Sequence, residues 1–195
     1  MRRARVTLVT GRTAGGIGRH VASLVPELAA RGAAVTVIGP RDTRGFEYEP
    51  SGARFEGAEI AAGVAPVADL RALFRLRLLM RGSDVVHLHG IKAGVLGGLA
   101  ARWAKVRAVV VTFHNPVLRR GSTGRRAGGF GLRVAGRLAD RRIFVSPHLT
   151  LTDDSELVIP AGVSRQRPTA DEAGRARTSL GLGTRRIVLS VGRLS

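Results

Sequence analysis

The segment that most constrains this chain is a glycine-rich stretch at residues 10–20, which reads TGRTAGGIGRH. An apolar run, ARVTLV, precedes it, and a run with helical spacing of apolar residues follows it at Ile17, Val21, Leu24, Val25 and Leu28. This order predicts a strand, a tight turn and an amphipathic helix. At such a junction the backbone can approach a ligand closely, and the helix N-terminus favours an anion such as phosphate. A tight turn alone would explain the glycines equally well, so the choice between a structural turn and an anion-binding loop depends on the rest of the sequence.

The same order of strand and helix recurs along the chain. Further strands are predicted at residues 33–39, 83–90, 107–116 and 141–146, with helices between them. Residues 40–66 lose this periodicity and read as an irregular connection with at most two short strands. Apolar strands that alternate with helices predict an α/β fold, a Rossmann-like parallel sheet with helices on both faces.

Two of the predicted helices carry marked patterns. Residues 67–80 form an amphipathic basic helix whose apolar positions include Leu70, Phe74 and Leu78. This pattern favours a packed helix with a solvated face over a membrane-binding one. In the helix after residue 90, the buried stripe is predicted at Ile91, Val95, Leu99 and Trp103. Residues 121–131 read as a loop or a helix start, followed by a helix over 132–139.

Composition limits the classes of partner. The chain has 195 residues and a formal charge of +18, which alone would suggest nucleic acid. Only Lys92 and Lys105 of its 32 basic residues are lysines, as a GC-rich coding bias produces, and aromatic residues make up 4%. Because base stacking needs aromatic side chains among the basic ones, no specific nucleic-acid partner is expected. Anionic lipid headgroups are a better match to the charge.

The remaining composition bears on compartment and domains. There is no cysteine for disulfides or thiolate metal sites. No apolar run approaches the roughly 18 residues of a membrane span, and no signal sequence is recognisable, so a cytoplasmic location is expected. The pattern predicts a first domain over residues 1–165 and a linker with the first strand of a second domain over 166–195. The final strand and glycine turn make the chain look cut.

Ligands of open parallel sheets bind outside the carboxyl ends of the strands. The first strand is followed there by Gly15 and Gly16. The later strands place polar residues at the same edge, namely His89, His114, Asn115 and Ser146. Histidines at two strand ends beside a glycine loop predict a ligand site at this edge of the sheet.

Two nucleotide-binding motifs are excluded. A dinucleotide-binding G-x-G-x-x-G fingerprint fails because Val21 stands at the third glycine position and the second strand ends in Gly39 rather than an acidic residue. A phosphate-binding NTPase loop fails because Ile17 replaces its lysine.

A histidine metal site is the remaining alternative. His87 and His89 share one strand face, and His114 is expected nearby. Asp84 is the only carboxylate in these short segments, so the pattern argues against a metal site, and no metal is expected.

An ordered set of segments resembles the family 4 glycosyltransferases of the GT-B fold. They are the opening TGRTAGGIGRHVASLVPELAARGAAVTVIG, then DVVHLHG, VVVTFHNP, FVS, VIPAGV and the final LSVGRLS. In the family, the corresponding places hold a glycine loop before a helix, strands ending in His and Ser, a V-I-P-N-G-V turn and the start of a second Rossmann-like domain. The resemblance implies the N-terminal half of a GT-B fold.

The resemblance implies retaining, metal-independent transfer of a hexosyl group from a UDP- or GDP-linked sugar, without a cofactor. The acceptor would be a glycan, a lipid or a small molecule. Gly15 and Gly16 would let the loop approach the donor. Arg193 would clamp the departing diphosphate, since a guanidinium offers paired donors to a phosphate.

By the same resemblance, His114 would lie beside the transferred sugar as the catalytic residue. His89, Asn115 and Ser146 would line the acceptor side or the cleft. The basic segments at residues 67–81 and 119–142 could also meet an anionic membrane surface, which would place the protein peripherally on the inner face of the membrane.

The sequence departs from the family at two places. Ala161 and Ser164 stand where Asn and Asp are usual, and no lysine follows the GRL motif before Ser195. We therefore expect these 195 residues to be inactive alone. The alternative function is a noncatalytic Rossmann-like module that binds an anion or a lipid.

Overall fold

The apolar runs pair in one parallel sheet, as a computed structural model of the chain shows. This structure describes residues 2–12, 16–46, 48, 52–61, 63–114, 122–149, 156–160 and 169–186. The strands within these residues are β1 Arg5–Thr10, β2 Ala34–Gly39, β3 Arg54–Gly57, β4 Val85–His89, β5 Ala108–Phe113, β6 Arg141–Phe144 and β7 Leu157–Val158. The region predicted as an irregular connection contributes β3 and a 3₁₀ helix at Arg41–Phe46.

The strand order determines where a ligand site can form. The sheet runs β3-β2-β1-β4-β5-β6-β7, and all neighbouring strands are parallel. The direction of strand addition reverses between β1 and β4, and a crevice opens at such a switch point beyond the carboxyl ends of the strands. The predicted α/β class with a Rossmann-like parallel sheet is confirmed.

Helices cover both faces of the sheet, as predicted. They are α1 Gly16–Ala30, α2 Pro66–Leu79, α3 Ile91–Trp103 and α4 Ser122–Leu138. Leu8 packs with Val21 and Val25 of α1, whereas its neighbour Val9 packs in the cluster that holds residues of α2, α3 and α4. Because successive strand residues point to opposite faces, α1 lies on one face and the other three helices lie on the other.

The predicted buried stripe of α3 is wrong at its far end. Leu99 and Trp103 are 43% and 46% exposed, and the buried face instead consists of small residues: Ala93, Gly94, Gly97, Gly98, Ala100 and Ala101. A Cβ atom added at Gly94 would lie 2.8 Å from Cβ of Ala135 in α4. The small residues are therefore what lets α3 approach α4 and the sheet so closely.

The apolar positions of α2 are also on an unexpected face. Leu70, Phe74 and Leu78 are 54%, 51% and 53% exposed, while Ala72 and Leu76 are buried. The outward face of α2 is thus more apolar than the helix pattern predicted.

Two compact units divide the chain, Met1–Gly162 and Val163–Ser195. The division into domains at residues 165 and 166 stays a prediction. In the second unit, the helix α5 (Ala170–Ser179) begins at a capping box in which Thr169 accepts from the backbone N–H of Glu172. The final strand and glycine turn are predicted at residues 185–195, of which residues 187–195 lie outside the described residues.

Candidate functional site

The first turn of α1 borders the switch point of the sheet. α1 begins at Gly16, directly beyond the carboxyl end of β1. A Cβ atom added at Gly16 would meet no other atom within 4 Å, so packing inside the molecule does not require glycine there. The role of Gly16 in admitting a ligand close to the backbone stays a prediction. Gly15 lies outside the described residues.

Two histidines project from β4 toward the face that α1 covers. His87 pairs with Leu8 of β1, and His89 pairs with Thr10. Because paired residues on parallel strands share a face, both imidazoles lie on the side of α1, with ring centroids 4.2 Å apart. His87 Nε2 shares a hydrogen bond of 2.7 Å with Oγ1 of Thr112 on β5.

Two further histidines complete the group. His114 follows β5 directly, and its Nε2 atom lies 3.1 Å from Nδ1 of His89. His20, in the second turn of α1, has its ring centroid 5.1 Å from that of His114 and 5.8 Å from that of His89. We call His20, His89 and His114 the histidine cluster. It joins the second turn of α1 to the ends of β4 and β5. Residues 13–15 of the glycine-rich loop lie outside the described residues, so the predicted meeting of loop and imidazole stays a prediction.

Burial keeps these imidazoles neutral. Desolvation, and then the charges of neighbouring imidazoles, lower the pKa of His87 to about 4. The same causes hold the pKa of His89, which is 2% exposed, well below its usual value. Desolvation, followed by the neighbouring His20, lowers the pKa of His114 to about 4, and desolvation also lowers the pKa of His20. At neutral pH each ring therefore offers one N–H donor and one lone pair.

The histidine cluster has the composition of a metal site. One ring nitrogen from each of its three residues lies within 4.8 Å of the others. Asp84, the carboxylate considered from the sequence, lies at the opposite end of β4, where it accepts from the backbone N–H of Arg5 and pairs with Arg2. Among the described residues, no carboxylate joins the cluster.

The other predicted site residues fall into two groups. Ser146 follows β6, one strand beyond His114 in the sheet, and its carbonyl accepts from the N–H of Leu149 in a 3₁₀ turn. It is on the predicted edge but outside the histidine cluster. Asn115 and Arg193 lie outside the described residues, so their roles stay predictions.

His20 is the member of the cluster that sequence reasoning missed. It lies three residues after Ile17 and four before Leu24, on the stripe that predicts the buried face of α1. A histidine on that stripe, one turn from a glycine loop, was the available signal. Strand-end positions alone identify only His89 and His114.

Comparison with known protein families gives one match. The model of Glycosyltransferase Family 4 matches residues 14–150, which include the whole histidine cluster. A search among curated proteins gave no matching sequence.

Several solved structures share this architecture. MurG of Acinetobacter baumannii has a TM-score of 0.63 at 18% identity, over 83% of this chain and 47% of its own. HepE of Anabaena, solved in complex with UDP-glucose, has a TM-score of 0.69 at 17% identity, over 92% of this chain and 50% of its own. A UDP-N-acetylglucosamine 2-epimerase has a TM-score of 0.58 at 20% identity, over 80% and 48%. These likenesses show the fold, and the chain spans about half the length of each structure.

Proposed function

Since the chain belongs to glycosyltransferase family 4, we propose that it supplies half of the cleft of an enzyme that transfers a hexosyl group from a nucleotide diphosphate sugar. The observation that carries this proposal is the meeting of three neutral histidines with the first turns of α1 at the switch point of the sheet. The donor would be UDP- or GDP-linked, in keeping with the UDP-glucose bound to HepE. Transfer would proceed with retention and without a metal.

The neutral state of His114 suits this role. An uncharged imidazole can donate one hydrogen bond to a sugar hydroxyl and accept another, whereas an imidazolium could only donate. His89 lies 3.1 Å from His114 and would fix its orientation. His114 would therefore act as the catalytic residue beside the transferred sugar, with His89 as a positioning residue behind it.

Departure of the nucleotide diphosphate would depend on residues other than the histidine cluster. A departing diphosphate needs cationic or N–H donors to stabilise its developing charge. Arg193 is our candidate for that role, and Gly15 and Gly16 would admit the donor to the loop. Because the matched structures are about twice as long as this chain, we expect the 195 residues alone to show no turnover.

Replacement of His114 tests the proposal. We expect His114→Ala to lower kcat for sugar transfer by roughly 100-fold, because a misplaced or missing contact at the reacting centre has an effect of that order. Transfer is measured with UDP- and GDP-sugars on the 195-residue chain and on any longer product of the same gene. His148→Ala is the matched control, because it removes an imidazole to which the proposal assigns no role. Unchanged transfer by an active protein carrying His114→Ala would refute the assigned role.

A second candidate function rests on the outward face of α2. Phe74 and Trp103 pack together with ring centroids 5.3 Å apart, and the guanidinium of Arg77 lies 4.1 Å from the centre of the Trp103 ring. Leu70 and Leu78 extend this exposed surface, which we call the α2 patch. Aromatic and apolar side chains next to arginines favour the interface of an anionic bilayer. We propose peripheral membrane association through this patch. No described helix is long and apolar enough to cross a bilayer.

Vesicle binding tests this second function. We expect Phe74→Ser to weaken sedimentation with phosphatidylserine vesicles by roughly tenfold, since a large apolar side chain contributes about 1.5–3 kcal/mol when fully buried. Leu180→Ser, at a position 70% exposed in the second unit, is the control. The fluorescence of Trp103, the single tryptophan of the chain, should shift to the blue when vesicles are added. Equal binding to neutral vesicles, or no loss with Phe74→Ser, would contradict the proposal.

A further inference from the structure

We infer that the histidine cluster is a binding site for a divalent transition metal ion, for which Zn²⁺ is the best-fitting example. Its three imidazoles come from three separate elements, α1, β4 and the residue after β5. Strand pairing fixes the relative positions of His89 and His114, and α1 brings His20 over them. The site is therefore assembled by the fold and not by neighbouring positions in the sequence.

The distances require little rearrangement for ligation. Zn²⁺ binds histidine nitrogen at about 2.0–2.1 Å, so two ligands of a tetrahedral site are roughly 3.4 Å apart. His89 Nδ1 and His114 Nε2 already lie at 3.1 Å. The ligand atoms of all three residues lie within 4.8 Å, so shifts of the order of 1 Å in the side chain of His20 would bring it into range.

The cluster also has unused bonding capacity. Nε2 of His89 and Nδ1 of His20 are buried without a hydrogen-bond partner among the described residues. A buried polar atom without a partner costs about 1–3 kcal/mol. His89 is 2% exposed, so bulk water does not offset that cost, whereas reorientation of the rings around a cation would use their free lone pairs.

The ligand set selects the class of metal. Imidazole nitrogens suit Zn²⁺, Co²⁺, Ni²⁺ and Cu²⁺, whereas Mg²⁺ and Ca²⁺ prefer oxygen ligands. No carboxylate belongs to the cluster within the described part of the chain. Three histidines leave one position of a tetrahedral ion open, and His20 and His114 are half-buried, so that position can face the crevice.

Metal binding would oppose the proposed transfer reaction. If His114 contacts the donor sugar, an ion held by the same imidazole would occupy the place of that sugar. Zn²⁺ would then inhibit the transfer reaction, although the reaction itself requires no metal. This consequence rests on the proposed function, whereas the binding site does not.

Calorimetric titration of the metal-free chain with ZnCl₂ tests the inference. We expect one equivalent to bind and MgCl₂ to give no binding. Outer-shell partners alone contribute about 10- to 100-fold to metal affinity, so His20→Ala, which removes a ligand, should weaken Zn²⁺ binding by at least about 100-fold. His148→Ala should bind like the unaltered chain. Equal affinity in His20→Ala, or loss of binding in His148→Ala, would overturn the site.

The absorption spectrum of Co²⁺ gives a second test that needs no variant. In a tetrahedral site with three imidazoles, Co²⁺ shows intense visible bands, whereas octahedral Co²⁺ in water is nearly colourless. We expect the intense bands with the unaltered chain and their loss when Zn²⁺ is added. Failure of Co²⁺ to develop these bands would refute the metal site and leave the proposed transfer reaction standing. Zn²⁺ binding by a longer product of the gene that spans both halves of the cleft and transfers no sugar would do the reverse.

Discussion

The chemistry of this protein is concentrated in imidazole side chains that have lost most of their water. The ring centroids of His87 and His89 are 4.2 Å apart, and those of His20 and His114 are 5.1 Å apart. Protonation of any of them would place a cation in a poorly solvated group of rings. The folded chain therefore holds these side chains neutral at a pH where exposed histidines begin to titrate.

This arrangement predicts that acid lowers the stability of the fold. The folded pKa of His87 is about 4 against 6.5 for an unperturbed histidine, so the unfolded chain binds the proton first. The free energy of unfolding should be flat above about pH 6.5 and fall as pH drops toward about 4. His87 alone should contribute a loss of about 2 kcal/mol between about pH 7.5 and about pH 5.

Urea denaturation at the two pH values, with a chelator present, measures this loss. His89→Asn, which removes one of the buried imidazoles, should show a smaller difference between them than the unaltered chain. Equal free energies of unfolding at both pH values would show that the rings are not held neutral by the fold.

At the residue scale, the sequence predicts the parts of the site that follow from strand ends. His89 and His114 close apolar strands, and parallel strands bring their carboxyl ends to one edge, so their proximity could be predicted. The contribution of His20 depends on how α1 rotates over the sheet. The apolar stripe with Val21 and Val25 predicts that His20 lies toward the sheet, but it does not specify which strand ends the imidazole meets.

At the scale of elements, part of the core is filled by the close packing of α3 against α4 and the sheet, and not by large side chains of α3. Three glycines of α3 lie so close to their neighbours that an added Cβ atom would clash. It would lie 2.8 Å from Ala135 at Gly94, 2.5 Å from Leu88 at Gly97 and 2.8 Å from Leu138 at Gly98. Hydrophobic periodicity assigns burial to the largest apolar residues. It therefore predicts that Leu99 and Trp103 are buried, whereas the buried face of α3 consists of glycine and alanine.

A pair of glycine substitutions tests this packing. Gly94→Ala should lower the free energy of unfolding by about 1 kcal/mol, because overpacking costs about 1–3 kcal/mol and the gain in helix propensity offsets part of it. Gly129→Ala in α4 meets no atom within 4 Å and should raise it by up to about 1 kcal/mol. Thermal and urea unfolding of the two variants give the comparison. If Gly94→Ala were as stabilising as Gly129→Ala, α3 and α4 would not be in the close contact described.

At the scale of the whole molecule, the order of the strands makes one edge of the sheet a ligand site. Alternation of strands and helices predicts parallel pairing, and the ordered motifs identify the family. The histidines at the carboxyl edge also become candidates from the sequence. The sequence pattern does not specify that β4 returns to pair with β1, because long-range pairing depends on how the crossover helix packs. That return creates the switch point and places His89 beside Thr10.

The most direct test of the central claim is to record the ring resonances of the five histidines by NMR while a nucleotide diphosphate sugar is added. The sample is the 195-residue chain, with any longer product of the gene measured in parallel. We predict that the resonances of His20, His89 and His114 shift on addition of the donor, while those of His148 stay in place. If the donor binds and these three resonances do not move, the crevice at the switch point is not the sugar site.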